Sequence, residues 1–122
     1  MLVRDRMSHN PITITNDTTV LDALDLMNKR KVRRLPILDG KGRLVGIVSD
    51  KDLLRATPSP ATTLAKYEIP EAFQKLTVEK VMTRNVITVT EDTTLEEAAC
   101  ILLDKRIGGL PVMRGEALVG II

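Results

Sequence analysis

The stretch RRLPILDGKGRLVGIV at 33–48 returns, one residue shorter, as GGLPVMRGEALVGII at 108–122. Leu35 and Pro36 face Leu110 and Pro111 at an offset of 75; past a deletion in the turn after Gly115, LVGIV at 44–48 faces LVGII at 118–122 at an offset of 74. Upstream of this stretch the match continues. Met7, Thr13, Thr15, Asp17, Thr18, Thr19 and Ala23 face Met82, Thr88, Thr90, Asp92, Thr93, Thr94 and Ala98. The chain is one supersecondary unit written twice, at 1–56 and 78–122, with a connector at 57–77. Such units bury a shared core, here about a pseudo-two-fold axis, and a ligand site built on one copy should recur on the other.

Within each copy the periodicities alternate between strand and helix. ITIT at 12–15 and ITVT at 87–90 are β-branched alternations and read as strands. Thr19 with Asp22, and Thr94 with Glu97, set a hydroxyl three residues before an acid, which marks a helix start. The helices place Val20, Ala23, Leu24 and Met27, and Leu95, Ala98, Ala99 and Leu102, on one face. LPIL at 35–38 and LPVM at 110–113 read as short buried strands whose proline should sit at a strand start or an edge. DGKGR at 39–43 is a hairpin turn, and RGEA at 114–117 is its shorter counterpart. Gly46 and Gly120 interrupt the next strands, which suggests that something approaches the backbone there. SDKDLLRA at 49–56 reads as a helix capped by Ser49 or Asp50. In the connector, 61–76 suggests short helical turns broken at Pro70. The fold expected is α/β (α+β-like): two pseudo-symmetric β-α-β-β-α units packed sheet to sheet. The second unit is incomplete at its C-terminal end, because the quoted sequence stops at Ile122.

Composition narrows the function. One Phe, one Tyr and no Trp leave an aliphatic core and hardly any platform for stacking bases or sugars. A net charge of +2 gives no global attraction for nucleic acid. One cysteine excludes an intrachain disulfide and fits a reducing cytoplasm, and no apolar run is long enough to cross a membrane. Cys100 lies beside the apolar stripe of its helix and reads as a packing thiol. His9 has no metal-ligand spacing with it. KRKVRR at 29–34 holds five basic residues in six, which fits a solvated helix end better than a nucleic-acid patch. Gly40, Gly42 and Gly46 fit a hairpin and not a dinucleotide fingerprint. No catalytic arrangement has support, and the reading is non-enzymatic.

Taken in order, Met7, Pro11, Thr13, RRLPILD and LVGIVSDKDL, followed by VMTRNVITV, GGLPVM and LVGII, resemble a tandem pair of cystathionine-β-synthase (CBS) domains, a Bateman module. The connector further resembles the acetoin-utilisation-type subgroup. The resemblance implies a regulatory module with adenosine nucleotides (AMP, ADP, ATP) or S-adenosylmethionine in the clefts between paired domains, and no obligatory cofactor. It places Ser49 and Asp52 on the family's Ser/Thr-x-x-Asp pattern, with the Asp52 carboxylate on ribose hydroxyls and the Ser49 hydroxyl near phosphate. It places adenine between Ile47 and Val86 with Ile87, and Arg33 and Arg34 at the cleft border near a phosphate tail. Ile12, Gly109 and Ile121 form a second, incomplete site without its Ser and Asp. Position alone favours reading Asp52 as an exposed acid in a first helical turn, whose loss would scarcely affect folding; the repeat and the resemblance reverse that toward ribose binding.

Three functions compete: an adenosine-nucleotide sensor that biases a partner domain, a structural dimerisation module without ligand, and nucleic-acid binding through 29–34. The aliphatic composition and the missing last helix of the second unit, whose absence should expose apolar surface, point to a homodimer, a disc of four CBS units.

Overall fold

The computed structural model describes residues 1–57 and 71–122. Most of the connector's proposed turns therefore lie outside the described residues; within them, one short helix, Glu71–Gln74, follows Pro70. Two small sheets carry the fold. In chain order the elements are β1 (Ser8–His9), β2 (Ile14–Thr15), α1 (Val20–Arg30), β3 (Arg34–Leu38), β4 (Leu44–Ser49), α2 (Asp50–Ala56), α3 (Glu71–Gln74), β5 (Val89–Thr90), α4 (Leu95–Lys105), β6 (Pro111–Arg114) and β7 (Ala117–Ile121). One sheet runs β2-β3-β4 and the other β1-β7-β6-β5. The α/β class and the doubled unit are as the repeat implies.

The sheets do not divide the chain where the sequence copies do. β1, from the first copy, pairs antiparallel with β7 of the second, Ser8 opposite Ile121 and His9 opposite Gly120. Reciprocally, Thr83 of the second copy and Ile47 of β4 exchange two backbone hydrogen bonds, at 3.0 and 3.1 Å. Each copy opens with a 3₁₀ turn, Val3–Asp5 and Val78–Lys80. Val3 N–H donates to the Thr93 carbonyl and Val78 N–H to that of Thr18, both at 2.8 Å. The first N–H groups of α1 and α4 are met in the same crossed manner: Val20 donates to Leu76 and Leu95 to Met1. These helix-start donors have no intrahelical acceptor, so Leu76 at the end of the connector and Met1 at the start of the first copy satisfy them.

The cores are crossed too. Ile14, Val20, Ala23, Leu35, Ile37, Val48 and Leu53 pack with Phe73 and Val78. Val89, Ala98, Leu110 and Val112 pack with Val3 and Met7. Thr19 and Thr94 cap their helices, accepting from the N–H of Asp22 and Glu97 at 3.1 Å. Both helices end on a left-handed residue, Lys31 and Arg106, whose N–H closes the last turn.

Three features differ from the sequence reading. β3 is the central strand of its sheet, yet Pro36 lies within it. β2 pairs only with Ile37 and Leu38, so on that side β3 is still an edge at Pro36. The ITIT and ITVT strands shrink to two residues each, because their leading halves turn toward clefts. Cys100 is exposed, with Ala99 and Leu103, and does not pack. In the first unit α2 lies against α1, whereas Leu103 on the corresponding helix α4 is 79% exposed.

Gly46 and Gly120 are sites of close approach, as expected. A Cβ on Gly46 would overlap the Met82 sulfur and stand 2.9 Å from its Cγ; one on Gly120 would stand 2.7 Å from the Met7 sulfur and 2.9 Å from the Ser8 carbonyl oxygen. Each glycine thus admits the opposite copy's methionine. We expect Gly46→Ala and Gly120→Ala each to cost about 1–3 kcal/mol by overpacking, read from urea denaturation midpoints. Gly120→Ala should cost more, because its rigid backbone obstacle, the Ser8 carbonyl oxygen, stands at 2.9 Å, against 3.1 Å for the Thr83 carbonyl oxygen at Gly46.

Two partly buried carboxylates add a pH dependence. The Arg43 backbone N–H holds Asp39 below its ordinary 3.8 against an opposing desolvation, helped by the Lys41 N–H and the Arg43 guanidinium. The Arg114 guanidinium, hydrogen-bonded at 2.8 and 3.0 Å, holds Glu91 below its ordinary 4.5. A depressed carboxyl stabilises the fold fully above its unfolded pKa and loses that contribution as pH falls through the folded one. Arg114→Ala should therefore lower the melting temperature slightly at neutral pH, with the difference from wild type closing as the pH falls below 4.5. Thermal melts across that range check it.

Candidate functional site

Among the described residues, the crossing of arms frames two clefts that share Arg34, Gly108 and Gly109. The first, about 530 Å³, is framed by the end of β4 and the start of α2 from copy one, and by residues 83–87 and 106–109 from copy two. The second, about 470 Å³, lies between residues 8–12 with 32–34 and the end of β7 with Gly108 and Gly109. Both volumes suit a nucleotide-sized small molecule.

The first cleft brings together Ile47, Ser49, Asp52, Val86, Ile87 and Arg34. Ile47 is fixed by its backbone exchange with Thr83, which also carries the second-copy segment holding Val86 and Ile87 to the opposite wall. Ser49 caps α2, and its Oγ accepts from the Asp52 N–H at 3.2 Å. The Ser49 N–H donates back to Asp52 Oδ2 at 2.9 Å, closing a capping box. Asp52 Oδ1 stands 3.7 Å from the Arg55 guanidinium, and the carboxylate is 28% exposed. Each carboxylate oxygen has two lone-pair sites, so one intramolecular bond leaves room for further donors. The Ser49 hydroxyl, accepting from the backbone, keeps its own proton to donate.

Asp52 is therefore not a loose first-turn acid. Asp52→Ala removes the return bond of the capping box and should destabilise the fold by about 1 kcal/mol, a larger effect than the sequence implied. Asp52→Asn, which keeps an acceptor for Ser49 N–H, should cost less; denaturation of the two variants checks this.

The remaining sequence-selected residues sort differently from their expected grouping. Ile12 and Ile121 line the second cleft. Arg33 lies there as well and does not line the first cleft, while Arg34 and Gly109 line both. The cause is the crossing. Residues 32–34 follow α1 in the first copy but border the cleft completed by β7, and residues 107–109 border the cleft completed by β4. A reading that keeps each copy's residues together cannot place them.

Sequence reasoning missed Lys51, Arg55, Asn85 and Arg106 in the first cleft, and Arg6, His9 and Asn10 in the second. The offset of 75 could have found one pair, since it equates Asn85 with Asn10. The first cleft mixes four basic side chains with one carboxylate, and the described lining of the second holds three arginines and no acid. Among the described residues, no group of His, Cys, Asp or Glu could hold a metal ion, and no helix is long and apolar enough to cross a membrane.

Crossed sheets, paired clefts and the Ser-x-x-Asp cap define a CBS domain pair. A family model for the CBS domain matches residues 3–59 and 78–122, and the chain belongs to that family. It is similar to a CBS domain-containing protein of Dictyostelium discoideum, 34% identical over 100% of this chain and 85% of the relative. It is also 34% identical to L-aspartate semialdehyde sulfurtransferase of Methanocaldococcus jannaschii, covering 99% of this chain but only 21% of that enzyme. The module thus occurs both as most of a chain and as a small part of an enzyme.

Among solved structures it is similar to the CBS domain pair of protein MJ0100 in complex with 5′-methylthioadenosine and S-adenosyl-L-methionine: TM-score 0.82, 33% identity, 100% of this chain and 88% of that one. The acetoin utilization protein structure (AcuB) from Vibrio cholerae gives a TM-score of 0.81 at 34% identity, covering 100% of this chain and 83% of the other. CBSX2 in complex with AMP gives 0.79 at 35% identity, covering 99% and 88%.

Proposed function

We propose that this chain is a non-catalytic regulatory module that binds an adenosine-containing ligand in the first cleft and transmits its presence to a partner domain or protein in the cytoplasm. The observation that carries this reading is the Asp52 carboxylate, held by the Ser49 cap in the lining of a cleft that also presents Ile47, Val86 and Ile87. Ribose hydroxyls donate to Asp52, the base lies between Ile47 and Val86 with Ile87, and phosphates meet Ser49 and Arg34. AMP on CBSX2, and 5′-methylthioadenosine with S-adenosyl-L-methionine on MJ0100, support the ligand class. The ligand is regulatory and not an obligatory cofactor.

Calorimetric titration with AMP, ATP and S-adenosylmethionine tests the reading. Asp52→Ala removes two charge-assisted hydrogen bonds, and with water replacing part of them affinity should fall about ten- to a hundredfold. Asp52→Asn should lose affinity while retaining most of the cap, which separates binding from folding. Wild-type protein that binds none of the three at millimolar concentration would sink the sensor reading.

The ligand-free alternative, a dimerisation module, is favoured by one observation: Leu103 and Leu54 stand 79% and 50% exposed on α4 and α2. A homodimer of two pairs, a disc of four CBS units, would cover such surface, and it is compatible with ligand binding. Monomeric mass in sedimentation at micromolar concentration counts against it. Nucleic-acid binding through 29–34 has less support, since Lys29 is paired with Asp25 and Arg33 and Arg34 line clefts.

A further inference from the structure

Arg34 is part of the wall of both clefts. Its backbone is fixed in β3, opposite Ser49 across the ladder. From there the side chain lies along Gly108 and Gly109. A Cβ on Gly108 would overlap the guanidinium, and one on Gly109 would stand 2.8 Å from Cδ and 3.3 Å from Nε. The repeat equates these glycines with Arg33 and Arg34. Symmetry would therefore have set an arginine pair at each cleft; the glycines instead leave a bare backbone seat across which one long side chain reaches. Arg43, Arg55 and Arg114 each have an acidic partner. The half-buried guanidinium of Arg34 has neither an ion pair nor a hydrogen bond among the described residues.

We infer that Arg34 is a single anion partner shared by the two clefts, so that an anionic group bound in one weakens anion binding in the other. A phosphate in the first cleft draws the guanidinium to that side of Gly108. The second cleft then keeps Arg33 and Arg6 but loses its third arginine. The charge-assisted bond at stake corresponds to roughly a tenfold change in affinity. The two copies thereby become antagonistic through one side chain, without any movement of the sheets. This inference rests on the reading of the clefts as ligand sites, but its test uses a probe that needs no nucleotide recognition.

NMR titration of the full chain supplies separate reporters: Ile47 and Ile87 for the first cleft, Ile12 and Ile121 for the second. The probes are inorganic pyrophosphate, AMP and adenosine. In the wild type, pyrophosphate should shift both reporter sets, and saturating AMP should weaken pyrophosphate at the second set roughly tenfold, whereas adenosine, lacking phosphate, should not. Arg34→Ala should weaken pyrophosphate at both sets and abolish the antagonism. Gly108→Ala should do the same with the charge retained. Its new Cβ meets the movable end of a side chain, so the fold should persist, and a native-like spectrum checks that. Arg33→Ala should weaken the second set alone and leave the antagonism in place.

Pyrophosphate that shifts only one set, or neither, at millimolar concentration overturns the sharing. Antagonism that survives in Arg34→Ala overturns it as well, because it would then be through-space repulsion between anions. If AMP fails to bind while pyrophosphate still loses affinity at both sets in Arg34→Ala, the nucleotide reading falls and the shared arginine stands.

Discussion

Two backbone hydrogen bonds, Val3 N–H to the Thr93 carbonyl and Val78 N–H to that of Thr18, hold the arrangement on which everything else depends. Each fastens the opening arm of one copy to the strand-to-helix corner of the other. Once they form, Met7 must lie against Gly120 and Met82 against Gly46, because those residues follow the anchored turns at the same distance. The glycines are the steric condition for the exchange, and the methionines fill the space with adaptable thioethers. A copy folded alone would lack both the partner for its first helix N–H and part of its core, Phe73 and Val78 in one case, Val3 and Met7 in the other. The cooperative unit is the pair, and its stability cannot be split between halves.

The same exchange decides where small molecules fit. A cleft lined by a single copy would survive separation of the units and could report nothing about their docking. Here both clefts described have one wall from each copy, with Ile47 across from Val86 and Ile87, and Ile121 across from Ile12. A ligand that touches both walls favours the docked arrangement over any other by its differential affinity alone. Regulation by such a module therefore requires no flexible lid. It requires only that the partner sense how firmly the two units are held.

Much of this was legible in the chain. The repeat gave the doubled unit, the Thr19 and Thr94 patterns gave the helix starts, and glycine inside two strands gave the points of close approach. What was hidden follows from chain crossing. Periodicity reports which face of an element is buried but not which copy covers it, so Arg33 was grouped with the wrong cleft. Cys100 sits beside an apolar stripe, yet α4 has no counterpart of α2 against it among the described residues, and the thiol faces solvent. Pro36 could occupy a central strand only because β2 is two residues long, and propensity sets strand length poorly.

Ser49 and Asp52 show why sequence could not separate structure from function at the site. A hydroxyl followed three residues later by a carboxylate is the signature of a helix start, and it is also the family's ligand pattern. Under the proposed function one geometry serves both roles. Asp52 Oδ2 receives the Ser49 N–H, which fixes the carboxylate's rotamer before any ligand arrives. A free acid on the helix surface would have to lose side-chain freedom on binding, whereas this one has already lost it on folding. The cap thus stabilises α2 and preorganises the carboxylate with the same bond. On that reading, a substitution that removes the carboxylate disturbs both the cap and the ligand contact, and one that keeps an uncharged acceptor disturbs chiefly the contact.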